Sequence, residues 1–495
     1  MNVRSDLSSS EQFLRSPNPG PLIRSLPLPV DDPFELYARL TGFSKHSFLL
    51  ESGKGSAEVS RYSFIGSDPF LVFSSKGANY TIRTSEQTIH LSGDPFKALR
   101  DLLPQKGITR DPALPPFLGG AVGFLSYDFV RQLESLPQLA ADDLQMPDLF
   151  FLFVEILAAI DHETKILHLM FAPHPQRMEI QSRDHLYREG EDRLAEMRAR
   201  LVVPSRWGND QFPQFRRASI HGQQSRSAYV RRVRECQDFI AAGDIYQANL
   251  SHRFTVEWPK ETSEGSGIQG AYCYQQIRRI NPSPFSAFLL LDDWTVVCNS
   301  PERLVRLQGK LADSRPIAGT RPRGKNLAED RRFVESLLTS NKEKAEHLML
   351  VDLVRNDLGR VSRYGSVNVE EFMTVERYSH VAHLVSEVSG FLRDGLSGCD
   401  LIPAMFPGGT ITGVPKYHCM EIIERLEPVR RGLYTGSIGY FSWTGEMDMN
   451  IVIRTLLLTK GQGYLQVGAG IVADSDPHLE YEETVHKAKA FFQAV

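Results

Sequence analysis

Hydrophobic and polar positions follow two different patterns along the chain. From about residue 21 to residue 170, apolar residues form short runs that Gly, Pro and Asp interrupt, which is typical of β-strands. Residues 47–52 and 119–127 are examples. The long apolar run 149–160, interrupted by Glu155, is too short to cross a membrane and predicts a buried strand.

From residue 227 onward the pattern mixes helical and strand periods. Gly243 ends an amphipathic helix predicted over 228–242, and Ser340 or Asn341 is the expected N-cap of a helix over 342–357. A hairpin is predicted around Asp292-Asp293, and a helix over 415–426. Strands are predicted at 437–442, 450–459 and 464–472.

These patterns divide the chain into four parts. Residues 1–20, rich in Ser, Pro and Asn, are expected to be disordered. A strand-rich region spans 21–175, a charged helix and polar linker span 176–226, and a mixed region spans 227–495.

Composition narrows the class of protein. The net charge of -4 and a pI of about 6.4 give no basic excess for nucleic acid or an anionic membrane. The 5 cysteines are scattered without metal-type spacing. Residues 1–20 lack the pattern of a signal peptide. We therefore expect a cytoplasmic enzyme or binding protein that has neither nucleic acid nor membrane as a partner.

Two pairs of glutamates stand three residues apart. Glu343 and Glu346 are one pair, and Glu480 and Glu483 are the other. On a helix this spacing puts both carboxylates on one face. Such faces are commonly solvated, but two of them across a cleft would suit magnesium, which takes carboxylate, water and substrate oxygens.

Other candidate residues lie in glycine runs and apolar segments. Residues 406–416 and the Gly468-Ala469-Gly470 sequence could place backbone N–H groups around an anion, although both also fit ordinary turns. His383 lies in an apolar strand, where a histidine is usually structural. Arg454 also lies in a predicted strand, and its charge there needs a partner, which a substrate carboxylate could provide.

Residues 315–324, Arg-Pro-Ile-Ala-Gly-Thr-Arg-Pro-Arg-Gly, connect these segments. Together with the segments around residues 302, 346, 410, 434–454 and 483, they resemble the family of chorismate-utilising enzymes. The resemblance is dense over 225–495 and reaches back to about residue 35. It implies the α/β (α+β) fold of anthranilate synthase component I, with two packed antiparallel sheets and outer helices, and a chorismate-binding catalytic domain over 227–495.

The resemblance also implies roles for individual residues. Glu346 and Glu483 would bind Mg2+, with Glu343 and Glu480 as supporting carboxylates. Glu302 would protonate the departing C4 hydroxyl of chorismate, near His383. The expected substrate-contacting residues are Thr320, Thr410, Tyr434, Arg454, Gly468 and Gly470.

Gln247 separates the branches of this family. Members that add water carry a lysine at this position, and glutamine is a poor general base, so ammonia is the expected nucleophile. No cysteine lies in a Gly-x-Cys-x-Gly sequence. A separate glutamine amidotransferase subunit is therefore the expected source of ammonia.

Two amine-adding branches remain, and synthesis of aminodeoxychorismate is the expected function, with synthesis of anthranilate as the alternative. Residues 281–288 and 406–413 resemble enzymes that make aminodeoxychorismate for folate synthesis, whereas Ala318 is typical of those that make anthranilate for tryptophan synthesis. A homologue without catalytic activity is a third alternative, which the acids at 302, 346 and 483 disfavour. Glu51, Ser52 and Phe285 would line a tryptophan pocket if one exists.

Overall fold

The strands of the protein form two large antiparallel sheets, each of 12 strands, in the computed structural model. The structure describes residues 10, 13–16, 20–53, 60–104, 107–205, 212, 217–258, 266–377 and 381–495, with the backbone alone at residues 320, 322, 341, 342 and 381. The predicted α/β fold with two packed antiparallel sheets is confirmed. The predicted disorder of residues 1–20 lies mostly outside the described residues, although Phe13 is buried in the core.

Sheet 1 combines strands from both ends of the chain. Its spatial order is β1 (Leu22–Pro27), β10 (Ile166–Phe171), β9 (Ile156–Asp161), β3 (Tyr62–Ser67), β2 (His46–Glu51), β13 (Phe285–Leu291), β14 (Trp294–Ser300), β23 (Thr455–Thr459), β24 (Gln462–Ile471), β12 (Gln247–Glu257) and β11 (Ser219–Gly222), with β20 (Gly413–Val414) paired to β12.

Sheet 2 is also built from both regions. Its order is β17 (Ile317–Pro322), β19 (Val381–Phe391), β16 (Leu311–Ser314), β15 (Arg303–Gln308), β22 (Met447–Asn450), β21 (Ser437–Ser442), β7 (Gly120–Leu125), β8 (Leu149–Val154), β4 (Leu71–Lys76), β5 (Asn79–Thr84) and β6 (Thr88–Ser92), with β18 (Asn368–Arg377) paired to β19. The regions 21–175 and 227–495 therefore share both sheets, and the division into domains stays a prediction.

The largest hydrophobic core contains residues from both sheets. Phe48 and Phe64 of sheet 1 and Phe124 and Phe151 of sheet 2 belong to it, and all four side chains are buried. Each such burial contributes roughly 1.5–3 kcal/mol. The two sheets therefore pack face to face, as alternating apolar positions allow.

Twelve described helices flank the sheets. They are α1 (Pro33–Thr41), α2 (Pro95–Leu102), α3 (Val130–Leu133), α4 (Pro175–Ile180), α5 (Arg183–Val202), α6 (Arg226–Ala242), α7 (Ser266–Ile280), α8 (Leu327–Thr339), α9 (Asn341–Gly359), α10 (Gly398–Met405), α11 (Lys416–Leu426) and α12 (Pro477–Ala494). In the described chain, none is long and apolar enough to cross a membrane.

Two helices carry the paired glutamates, and the structure confirms both. Ser340 is the N-cap of α9, where its hydroxyl accepts a hydrogen bond from the backbone N–H of Glu343 at 3.3 Å. This helix packs on β17 and β19, whereas α12 packs on β24. Gly243 ends α6 with a left-handed φ of 84°, as the sequence predicts.

Two predicted strands are wrong in the same way. The run 149–160 forms β8 in sheet 2 and β9 in sheet 1, and the chain passes between the sheets at Glu155, which pairs with Arg177. The predicted strand 450–459 is likewise broken at 451–454, so Arg454 is not in a strand and has a φ of 51°. A segment that crosses between two packed sheets is covered by protein on both sides, so its residues can be as apolar as those of a buried strand. An apolar run therefore does not show where a strand ends.

Candidate active site

Two chain segments cross between the sheets side by side. One joins β14 to β15 and carries Glu302, and the other joins β22 to β23 and carries Arg454. The backbone N–H of Ile451 donates to the carbonyl oxygen of Glu302 at 2.9 Å, and that of Asn299 donates to the carbonyl oxygen of Arg454 at 3.0 Å. Backbone hydrogen bonds therefore fix the acid and the cation relative to each other.

Glu302 has the electrostatic properties of a general acid. Burial raises the pKa of its carboxyl to about 7, although the Thr410 hydroxyl, the backbone at Ile317 and the charge of Arg454 oppose the shift. A carboxyl with a pKa near 7 is about half protonated at neutral pH, and its protonated form can transfer the proton to a leaving group.

His383 lies on β19, within range of the charge of Arg454. Burial, reinforced by the charge of Arg454, lowers the pKa of its imidazole to about 4, against the effect of the Gly319 backbone. The ring is therefore neutral at physiological pH. Thr320 of β17 stands opposite His383 in the sheet register, and only its backbone is described.

Arg454 is a largely enclosed cation. Burial lowers the pKa of its guanidinium, and Glu302 supplies the one charge that opposes this effect. Among the described residues no carboxylate lies within ion-pair distance of it. A guanidinium in this situation suits an anion, because a bound carboxylate would supply the missing charge. The role of Arg454 in binding substrate stays a prediction.

Strands β12 and β24 bring the glycines and Gln247 together. The buried amide Nε2 of Gln247 donates to Glu346 Oε1 at 3.3 Å, and a Cβ at Gly470 would lie 2.9 Å from the same nitrogen. A Cβ at Gly468 would lie 2.6 Å from the Tyr434 hydroxyl. Glycine is therefore required where this strand approaches both side chains.

The four paired glutamates do not form one cluster. Among the described residues, no group of three or more His, Cys, Asp or Glu side chains is placed to hold a metal ion. Glu343 pairs with Arg321 at 3.0 Å, and Glu483 pairs with Lys487 at 2.7 Å. Two carboxylates, Glu346 and Glu483, still suit the chemistry of magnesium, which commonly takes one or two from the protein. The assignment of these ligands stays a prediction.

Sequence reasoning missed two residues beside these positions. Arg431 is buried, pairs with Glu427 at 2.7 Å and donates to the carbonyl oxygens of Ile411 and Asn249 at 2.9 and 2.5 Å. It thereby joins the segments that carry Thr410 and Gln247. Lys487 bonds Glu483 and, at 2.8 Å, the carbonyl oxygen of Gly468. The i, i+4 spacing of each residue from its glutamate was the available signal.

A cavity of about 560 Å³ lies between the sheets. Glu51, Ser52 and Phe285 all line it, so the structure brings the three expected pocket residues together. Glu51 accepts a hydrogen bond from the Tyr274 hydroxyl at 2.6 Å and pairs with Arg278. Binding of tryptophan there stays a prediction.

Comparison with known proteins gives a consistent result. The family model described as "chorismate binding enzyme" matches residues 45–493. The chain is 41% identical to aminodeoxychorismate synthase component 1 of Bacillus subtilis, over 96% of this chain and 97% of that protein. It is 42% identical to anthranilate synthase component 1 of Thermus thermophilus, over 94% and 96% of the two chains. The crystal structure of anthranilate synthase component I from Streptococcus pneumoniae superposes with a TM-score of 0.76 at 32% identity, covering 88% of this chain and 92% of that one.

Proposed function

The chain belongs to the chorismate binding enzyme family, and from this premise we propose that it is the large subunit of an aminodeoxychorismate synthase. In this reaction an amino group replaces the C4 hydroxyl of chorismate, and the product keeps its enolpyruvyl group. The ammonia comes from a separate glutamine amidotransferase subunit, and the product supplies p-aminobenzoate for folate synthesis in the cytoplasm.

The strongest support comes from Glu302 and Arg454. Chorismate carries two carboxylates, and its conversion requires that the C4 hydroxyl departs. Arg454 is an enclosed guanidinium with no ion pair among the described residues, and Glu302 beside it has a pKa of about 7. Arg454 can bind a carboxylate of this substrate, and the protonated form of Glu302 can give its proton to the departing hydroxyl.

The proposed chemistry uses this chain's own groups at each step. Arg454 and the Tyr434 hydroxyl hold a substrate carboxylate, with the backbone N–H groups at Gly468 and Gly470. Ammonia forms the new C–N bond while the C4–O bond breaks, and Glu302 gives its proton to the oxygen, which leaves as water. The proton that the new ammonium group loses then returns to Glu302, so the acid is restored.

Magnesium completes the proposed site. Glu346 and Glu483 would hold it, with Glu343 and Glu480 behind them. When bound, the ion supplies positive charge for a substrate carboxylate and assists departure of the hydroxyl. Within the chain, Lys487 and Arg321 neutralise part of this acidic surface.

Gln247 supports ammonia as the nucleophile. Its side chain is buried against Glu346, and an amide cannot accept a proton from water at neutral pH, so it cannot activate water as a lysine could. Its carbonyl oxygen Oε1 is buried and forms no hydrogen bond with the protein. An acceptor at this place can orient an N–H group of ammonia.

Anthranilate synthase is the second candidate. Ala318, which is buried on β17, supports it, because many aminodeoxychorismate synthases carry a lysine here that bonds the substrate covalently. Residues 281–288 and 406–413 support aminodeoxychorismate synthase instead. The identities of 41% and 42% to the two kinds of relative do not separate them.

Product analysis tests the proposal. The purified chain is incubated with chorismate, magnesium and an ammonium salt at alkaline pH, with and without aminodeoxychorismate lyase, and the products are measured by mass spectrometry. A 4-amino product that gives p-aminobenzoate only with the lyase supports the proposal. Anthranilate and pyruvate without the lyase would establish the second candidate instead.

A further inference from the structure

His347 is a buried histidine on α9 that directly follows the proposed magnesium ligand Glu346. Its side chain is fully enclosed, and its Nε2 shares a hydrogen bond of 2.6 Å with the hydroxyl of Ser386 on β19. We infer that His347 is a positioning residue, which fixes the rotation of α9 and thereby the place of the Glu346 carboxylate, an inference that rests on the proposed function.

The two neighbouring residues of α9 face different sheets. Glu346 reaches sheet 1, where its Oε1 accepts the hydrogen bond from Gln247 of β12. His347 reaches sheet 2 through Ser386. A roll of the helix by about 20° would move a side-chain end, at a radius of about 5–6 Å, by about 2 Å. Magnesium holds its ligands at about 2.0–2.1 Å in near-ideal geometry, so a displacement of that size would break the contact.

Apolar packing fixes only the C-terminal half of α9. Val351, Val354 and Leu358 belong to the largest hydrophobic core. In the segment 343–349, whose side chains are all described, His347 is the one side chain that is buried. The half of the helix that carries the paired glutamates is therefore anchored by polar contacts.

Ser386, the partner of His347, is itself fixed from two sides. Its hydroxyl accepts a hydrogen bond from the backbone N–H of Met373 at 2.9 Å, and its own N–H donates to the carbonyl oxygen of Pro316 at 3.3 Å. Met373 lies in a bulge of β18 and has a φ of 52°. Bulges aim neighbouring side chains and are common beside active sites. The hydroxyl that meets His347 therefore has a defined place, three residues after His383 on the same strand.

A second polar contact of α9 lies one turn earlier on the same face. Glu343 precedes His347 by four residues and pairs with Arg321 of β17 at 3.0 Å. Solvent weakens this pair, because its side chains are 19% and 30% exposed. Both partners of the bond between His347 and Ser386 are fully buried, and a hydrogen bond is stronger away from water. His347 is therefore the firmer of the two anchors.

Burial of the His347 ring gives the helix a direction at some cost in stability. In the part of the chain that the structure describes, its Nδ1 has no hydrogen-bond partner, and a buried polar atom without a partner lowers stability. Leucine would fill much of the same space without this cost. Loss of the histidine should therefore change magnesium binding more than it changes the fold.

The test separates positioning from general stability. The variants are His347→Leu and Ser386→Ala, which both remove the hydrogen bond, and His347→Gln, whose amide can reach the same hydroxyl. The control is Leu358→Ala, which truncates a buried side chain at the other end of α9. Calorimetric titration with magnesium alone gives the Kd of each chain, urea unfolding gives its stability, and kinetics with chorismate and an ammonium salt give KM and kcat.

His347→Leu and Ser386→Ala should each raise the Kd for magnesium at least tenfold and lower kcat. Because both remove the same bond, the double variant should bind magnesium no more weakly than either single one. His347→Gln should stay within threefold of the wild-type Kd. Leu358→Ala should unfold at a lower urea concentration, with a Kd for magnesium within twofold of wild type.

The inference is overturned if His347→Leu and Ser386→Ala keep the wild-type Kd, if Leu358→Ala raises the Kd as much as they do, or if His347→Gln is no better than His347→Leu. A wild-type chain that binds no magnesium would overturn it as well. If magnesium binding follows the expected order but chorismate and ammonium give no aminated product, the positioning role stands and the proposed function itself has failed.

Discussion

The carbonyl oxygen of Glu302 accepts a hydrogen bond from the backbone N–H of Ile451 at 2.9 Å. This bond connects the two segments that cross between the sheets, one with the candidate acid and the other with Arg454. Each crossing is anchored by a strand at both ends. The candidate site therefore lies where the chain passes from one sheet to the other. Backbone hydrogen bonds fix the segments that carry the acid and the cation relative to each other.

Glu302→Gln is expected to abolish most turnover. A positioned acid contributes about 10²–10⁴-fold to a rate, and glutamine has no proton to give. Because the pKa of Glu302 is about 7, the wild-type rate, corrected for free ammonia, should fall as the pH rises through 7. Rate measurements from pH 6 to 9 test both points. A wild-type rate that is flat across this range would contradict the assigned role.

The same substitution should stabilise the protein at alkaline pH. The folded pKa of Glu302 lies above its usual value of 4.5, so the unfolded chain loses its proton first and stability falls as the pH rises from 4.5 to 7. Gln has no such titration, so Glu302→Gln should gain up to roughly 3 kcal/mol at pH 8 and less at pH 5. Urea unfolding at the two pH values measures this difference.

Arg454→Met should weaken substrate binding without weakening the fold. The loss of a charged hydrogen bond costs about 1.5–3 kcal/mol, which is about 10- to 150-fold in the Kd for chorismate. Removing an enclosed cation that has no ion pair in the described part of the chain should leave the free energy of unfolding unchanged or higher.

Arg431→Met is the matched contrast for that experiment. Arg431 is buried too, but it pairs with Glu427 at 2.7 Å. Its loss should lower the free energy of unfolding by about 3–5 kcal/mol, because the carboxylate would stay buried alone. Urea unfolding of both variants checks this, and equal destabilisation of the two would refute the distinction.

Gly468→Ala should raise the KM for chorismate more than it lowers kcat. The added Cβ would overlap Asn249 Oδ1 and approach the Tyr434 hydroxyl to 2.6 Å, so the tyrosine must move. Gly267→Ala is the control, since a Cβ there would meet only Leu290, at an ordinary distance of 3.5 Å. Steady-state kinetics on both variants test the prediction, and unchanged KM values for Gly468→Ala would count against the Tyr434 assignment.

Glu346→Gln and Glu483→Gln should remove magnesium-dependent turnover and leave the fold intact. Each removes one of two proposed ligand carboxylates. Glu482→Gln is the control, because this neighbour on α12 pairs with Arg226 at 3.0 Å instead. Calorimetric titration with magnesium alone gives a measurement besides activity. Turnover that survived in both variants would show that the metal ligands are assigned wrongly.

The sequence predicted the positions of helices and strands well, but it did not predict where the chain passes from one sheet to the other. Caps such as Ser340 and Gly243 are local, so helix boundaries could be predicted well. The breaks at Glu155 and 451–454 could not, because they depend on which sheet each strand joins.

The resemblance to the chorismate-utilising family identified Glu302 and His383 as candidates. The burial and the pKa shifts of these two side chains came from the structure. Arg431 and Lys487 each pair with a glutamate four residues earlier, which is a local signal. Their backbone partners at Ile411, Asn249 and Gly468 lie on other elements, so no local pattern could reveal those contacts.

The order of strands in sheet 1 also constrains how the chain can fold during synthesis. β2 pairs with β13, and β14 and β12 are joined only through β23 and β24 near the end of the chain. Pairings between such distant segments are slow to form. The centre of this sheet therefore cannot close until the residues of β23 and β24 have left the ribosome. Until then β14 lacks its partner β23, and an unpaired apolar strand edge of this kind promotes aggregation of the nascent chain.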